Sequence, residues 1–178
     1  FTPVTQYPLV DGKYYAEMYV DTVNDDAQRG TGFGINTNPL SANESPQVPN
    51  STALAYFMRN SSDAPGTYVA SIYLAGSVIQ TVQNVSQGDI LGCAYDVSNG
   101  ETHFYINGVV IAIVYATAFS GTPVYFQQYD FQSRGSTGNY GQQPFAFATN
   151  NMDGTCVVPA RYNVSEDWKL GLSLSPSG

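Results

Sequence analysis

Two carboxylates close together on one strand could act as the acid and the nucleophile of a retaining glycosidase. A Glu-x-Asp-x-Glu run on alternating positions would place them so. This chain has Glu17 and Asp21, four residues apart on one face of an alternating run, with Tyr19 between them. That spacing fits a glutamate satisfied within a sheet and an aspartate at a strand end. His103 is the only histidine, so any Ser-His-Asp or Cys-His set would have to be built on it. Its alternation sets it opposite Phe104 in facing, which directs it to solvent or to a shallow sheet face. Two cysteines and one histidine are too few for a zinc site. Cys93, inside an apolar run, reads as a buried thiol. Pairing with Cys156 depends on an oxidising compartment and is not legible from spacing. Asp25-Asp26 could ligate calcium only with further oxygen ligands, and two adjacent acids otherwise read as a solvated turn. No catalytic residue, metal or cofactor is expected.

Binding is better supplied. Tyr129, Asp130, Phe131 and Arg134 fall together in a loop expected over residues 129–138. Aromatic rings offer flat apolar faces with polar rims, and arginine offers a forked donor. Arg29, in the loop 24–30, and Arg59, at a strand end, could join the same rim. The competing reading has Tyr129 and Phe131 capping the edge of the core.

The elements that must hold these residues are strands. Residues 88–115 form the centre: an apolar run to Val97, Asn99-Gly100, an alternating run from Thr102 to Ile106, Asn107-Gly108, then a β-branched run. Asn-Gly is the favoured type I′ pair because both of its residues take φ > 0. Further strands are predicted over 12–21, 31–36, 53–59, 67–74, 78–82, 123–128 and 139–148. In the first, Tyr15, Glu17 and Tyr19 share one face, and Ala16, Met18 and Val20 the other. About ten short strands without a clear helix predict an all-β, antiparallel two-sheet sandwich. Residues 37–51, with three prolines, form the longest irregular stretch and read as a functional loop. The sandwich is expected over 1–148, with 149–178 a C-terminal extension that packs on the domain through Trp168 or leaves it.

Composition sets further bounds. The chain has 178 residues, 43% hydrophobic and only 11% charged, with net charge −8. Six basic residues scattered along it make no stripe for phosphates, which argues against nucleic acid and anionic membranes. The longest apolar run, residues 109–116, is far short of the ~20 residues of a membrane helix, so no membrane insertion is expected. Starting at Phe1, the chain is expected to be a piece of a longer polypeptide. Five Asn-x-Ser/Thr sites, at Asn43, Asn50, Asn60, Asn84 and Asn163, suit a glycosylated secreted protein or simply a chain rich in Asn, Ser and Thr.

Four segments, in order, resemble the SPRY domain family. Gly12-Lys13-Tyr14-Tyr15-Ala16-Glu17-Met18-Tyr19-Val20 resembles its G-K-x-Y-x-E-V-x-V opening strand, with Ala16 where a tryptophan is usual. Thr31-Gly32-Phe33-Gly34-Ile35 resembles its glycine-bearing second strand. Gly88-Asp89-Ile90-Leu91-Gly92-Cys93-Ala94-Tyr95-Asp96, with Phe104-Tyr105-Ile106-Asn107-Gly108, resembles G-D-x-I-G-x-x-x-D followed by F-x-x-N-G. Asn139-Tyr140-Gly141-Gln142-Gln143-Pro144-Phe145 resembles the closing N-F-G-Q-x-P-F. The resemblance covers residues 12–147 and implies a SPRY/concanavalin-like sandwich acting as a non-enzymatic binding module.

In animal proteins such domains dock peptides; others occur on phage virion proteins. The Asn/Ser/Thr/Gly/Tyr-rich, Lys-poor composition is similar to the phage group. It implies a tail-fibre, tailspike or capsid-surface location on the virion. The implied partners are a host-surface glycan or protein or a neighbouring virion subunit, with room for a homo-oligomer. Loops 24–30, 37–51, 59–66 and 129–138 are expected at one rim. An intracellular peptide-docking adaptor and a lectin-fold glucan-binding or glucan-hydrolysing protein are the alternatives.

Overall fold

The computed structural model describes residues 8–21, 30–38, 45–47, 49, 51–60, 68–130, 136–139, 146, 149–150, 156–157 and 168–170. For Asn60, Asp130 and the last three strands it describes the backbone alone. The body consists of β1 (Lys13–Val20), β2 (Gly30–Asn36), β3 (Ala53–Asn60), β4 (Tyr68–Leu74), β5 (Ser77–Val82), β6 (Ile90–Asp96), β7 (Glu101–Ile106), β8 (Val109–Tyr115), β9 (Tyr125–Asp130) and β10 (Ser136–Asn139). Short strands follow: β11 (Thr149–Asn150), β12 (Cys156–Val157) and β13 (Trp168–Leu170). One 3-10 turn, Thr117–Phe119, is the only helical piece among the described residues.

The first ten strands form two antiparallel sheets, ordered β5-β4-β3-β2-β9 and β10-β1-β6-β7-β8, and β11 pairs with β12 apart from them. In the second, β1 shares its outer edge. β10 pairs antiparallel with its later half, Glu17 opposite Asn139, and β13 pairs parallel with its start, Lys13 opposite Trp168. Alternation then decides what lies between the sheets. Ala16, Met18 and Val20 of β1, with Leu91, Cys93 and Tyr95 of β6, join Phe33, Ile35, Leu54, Tyr56 and Ile72 of the opposite sheet in one core. Burying each large apolar side chain contributes about 1.5–3 kcal/mol. Cys93 is fully buried as a free thiol.

Asn107 and Gly108 have φ of 50° and 76° between the paired Ile106 and Val109, the expected two-residue type I′ turn. Asn99-Gly100 differs. Only Gly100 has positive φ, at 73°, and four residues separate the paired Asp96 and Glu101. Asp96 Oδ1 accepts hydrogen bonds from the Ser98 N–H (2.9 Å) and hydroxyl (2.6 Å), and this Asx turn displaces the tight one.

The first sheet is also covered on part of its outer face. β2 presents only Gly30, Gly32 and Gly34 before Asn36 there, and the Phe57 ring lies over the first two. Ala53, Ala55, Phe57, Tyr73 and Tyr129 make a second cluster on this face. The described part of the 37–51 stretch lies over it. Pro46 is buried, and Gln47 Nε2 donates to the Tyr73 hydroxyl at 3.1 Å. Next to that stretch, Thr52 Oγ1 donates to Asn36 Oδ1 at 2.6 Å. A satellite core beneath a long loop is the physical result.

Candidate functional site

Strand registers place the loop ends. Gly30 pairs with Arg59, Thr31 with Asp130, and Asn60 with Tyr68. The connections 22–29, 61–67 and 131–135 therefore all leave from one end of the sandwich. At the far end Asn36 lies opposite Ala53 and Tyr125, and residues 37–52 leave from there. The expected rim thus keeps three of its four loops. The fourth, 37–51, leaves from the opposite end, because β2 runs the whole length of the sheet between the two loops that flank it.

Of the predicted site residues, Arg59 is exposed at the shared end. Tyr129 and Asp130 belong to β9 rather than to a loop, since β9 stays paired with β2 as far as Asp130. Tyr129 is 0% exposed. It sits opposite Gly32 and donates its hydroxyl to Gln127 Oε1 at 3.2 Å, so it is a core residue and is removed from the rim. The Asp130 side chain, and Arg29, Phe131 and Arg134, lie outside the described residues, as do Asp25 and Asp26.

At the same end, the loop before β6 meets the β7–β8 turn. Asp89 accepts from the Ser86 N–H (2.7 Å) through Oδ2 and from Asn107 Nδ2 (2.8 Å) through Oδ1. Asn107 Oδ1 in turn accepts from the Ile90 N–H at 2.9 Å. The G-D and N-G signatures are thus two halves of one clamp. Asp89→Ala is expected to lower stability by about 1–2 kcal/mol, since it removes two bonds to a charged acceptor. Chemical denaturation should show the loss, and Asp89→Asn should restore part of it.

The titratable side chains gather elsewhere, on the outer face of the second sheet. His103 is buried there, 5% exposed, which corrects the solvent-facing expectation. Its face was read correctly; its cover was not visible in the sequence. Nε2–H donates to Glu101 Oε1 at 2.7 Å, leaving Nδ1 to accept from the Tyr105 hydroxyl at 3.2 Å. Tyr105 meets Tyr15 edge-to-face, with ring centroids 6.0 Å apart. Tyr15 donates to Glu17 Oε1 at 3.0 Å, and Glu17 Oε2 accepts from the Ala146 N–H at 2.8 Å. Gly92, between these strands, leaves room for both rings: a Cβ there would lie 2.6 Å from the Tyr15 hydroxyl and 3.2 Å from Tyr105 Cβ.

Burial, then the neighbouring Glu17 carboxylate, pushes the Tyr15 hydroxyl well above its ordinary range. Burial pushes Tyr105 up as well, with Cys93 and Glu101 adding to it. Glu17 is 2% exposed, with both carboxylate oxygens engaged. It closes the sheet face and holds the backbone at Ala146. Alternation could have grouped Glu101, His103 and Tyr105, but pairing them with Tyr15 and Glu17 required the β1–β6–β7 register. Among the described residues no three His, Cys, Asp or Glu side chains come together as a metal site.

This is a SPRY/concanavalin-like sandwich with three connections leaving from one end and with Glu17, Glu101 and His103 hydrogen-bonded on one sheet face. It matches the SPRY domain of human HERC1 with a TM-score of 0.56 and 18% identity, covering 77% of each chain. The TRIM65 PSpry domain matches with a TM-score of 0.47 and 17% identity, over 77% of this chain and 68% of the other. No family model matches the sequence, and no curated protein does.

Proposed function

We propose that this chain is a non-enzymatic binding module. Its rigid sandwich presents the connections 22–29, 61–67 and 131–135 to a macromolecular partner. The observation that carries the reading is their common origin, with Arg59 exposed at that end. Arginine beside loops suits protein or glycan recognition, since loops tolerate change while the sheets hold their ends. The engaged state of Glu17 and the His103–Glu101 pair support a structural use of the groups that a hydrolase would need free. Resemblance of the composition to phage SPRY-type domains extends the reading to a virion surface: a tail fibre, tailspike or capsid-surface protein contacting a host receptor or a neighbouring subunit. With net charge −8, attraction to anionic lipopolysaccharide is excluded as the driving term, and recognition rests on stacking and hydrogen bonds.

The test is binding of the purified chain to intact bacterial cells, compared with Arg59→Ala and Arg59→Glu. A loss of about tenfold or more for both, with unchanged melting temperature, is expected. Undiminished binding by Arg59→Glu would remove this end as the binding surface. Binding to a single short peptide and to no cell would replace the virion reading with the adaptor one. Turnover on a glycan panel that is abolished by Glu17→Gln would replace it with a hydrolase.

A further inference from the structure

The sandwich has one side that neither the rim nor the buried outer faces explain. β8 ends one sheet and β5 ends the other, and the two meet where Gln80 Nε2 donates to the Ile111 carbonyl at 3.5 Å. Among the described residues no strand pairs with the outer edge of either. Of the nine large apolar residues exposed in the described chain, six lie on these two strands: Val78, Ile79, Val109, Val110, Ile113 and Tyr115. Val109 and Tyr115 are 66% and 67% exposed. The sequences SVIQTV and VVIAIVY contain no charge and no proline. Edge strands in soluble proteins ordinarily carry a lysine, a proline or a cover to prevent pairing with another chain. Here β5 carries one bulge, at Ile79, and β8 another: Phe104 pairs with Ala112 and Tyr105 with Val110, so Ile111 is skipped. Beyond it, from Ala112 to Tyr115, β8 is regular and open.

We infer that this side is a two-fold interface with a second copy of the chain, formed by antiparallel pairing of β8 with β8 of the partner. Three observations select a second copy. Every copy carries net charge −8, and this uncharged side is where two of them meet with least repulsion. The strand is its own complement: a two-fold axis at Val114 sets Ile113 of each copy opposite Tyr115 of the other, a favourable β-branched–aromatic cross-strand pair, made twice. The exposed apolar area supplies a large part of what a standard interface needs. The exposed parts of those six side chains amount to on the order of 500 Å², before backbone is counted, against ~800 Å² per partner in a standard stable interface. The resulting sheet runs continuously through both copies and leaves both rims open, so the dimer stands or falls independently of what the rim binds.

Sedimentation of the 178-residue chain over a concentration series should give twice its 19.2 kDa mass. Ile113→Glu and Tyr115→Lys, both at exposed positions, should each be monomeric and folded by circular dichroism. Mixed together, they should restore the dimer, because the new charges face each other across the axis. Val69→Lys, at an exposed position on β4, should remain dimeric. A wild-type chain that is monomeric throughout would overturn the inference. So would single variants that stay dimeric, or a mixture that fails to associate.

Discussion

Replacing Gly34 by valine is expected to unfold the chain, or to lower its melting temperature by about 10 °C or more. Gly34 lies mid-strand in β2, between Ala55 of β3 and Gln127 of β9. A Cβ built there would sit 2.6 Å from Ala55 Cα and 2.8 Å from its Cβ, and closer still to the Leu54 carbonyl oxygen. Those are backbone and first side-chain atoms, which cannot rotate away. β2 cannot move sideways either, being paired on both edges. Relief requires breaking the β2–β3 ladder, at a cost of about 4 kcal/mol or more out of the 5–15 that domains ordinarily possess. Gly34→Ala should move in the same direction. The control is Gly121→Ala, where φ is +67° but no atom lies within 4 Å of the new Cβ. There only the backbone preference is lost, about 1 kcal/mol. Thermal melts of the three variants decide the matter. A Gly34→Val chain that melts with Gly121→Ala would show that the strands separate easily.

The chain is also expected to be stable through neutral pH and to unfold steeply in alkali. Burial raises the ionisation of Tyr15, Tyr56, Tyr95, Tyr105 and the Cys93 thiol above their ordinary values. The folded chain therefore keeps protons that the unfolded chain releases. Their contribution is complete below the unfolded values, about 8.5 for cysteine and 10 for tyrosine. It is lost as pH rises above them, at up to about 1.4 kcal/mol per pH unit for each fully buried group. Stability should thus be flat to about pH 8.5 and fall sharply above about pH 10, where several groups act together. Tyrosinate absorbance from these side chains should appear together with the loss of near-ultraviolet circular dichroism. If all fourteen tyrosines instead ionise near pH 10 while the dichroism persists, the burial of these four is wrong.

The strands were legible because their alternation is strict. Tyr15, Glu17 and Tyr19 do face away from Ala16, Met18 and Val20, and Asn107-Gly108 makes the turn its residues require. The misreadings share one cause: they depend on which segment lies over which face. Tyr129 and Asp130 looked like loop residues because nothing in QQYDFQ marks where the strand stops. Pairing with Thr31 and Gly32 carries the strand through them. His103 is a polar residue on an outward face, where exposure is the ordinary expectation, yet it is buried between Glu101 and Tyr105. The 37–51 stretch was placed at the rim by its irregularity alone, whereas its end of the sandwich follows from strand direction. Of the residues expected at the rim, Arg59 is exposed there and Tyr129 is buried.

Asp89 and Asn107 spend their hydrogen bonds on one another and on nearby backbone, so what they secure is the architecture. A change at either position is therefore felt as lost stability, and the presence of the pair in a sequence speaks for the scaffold alone.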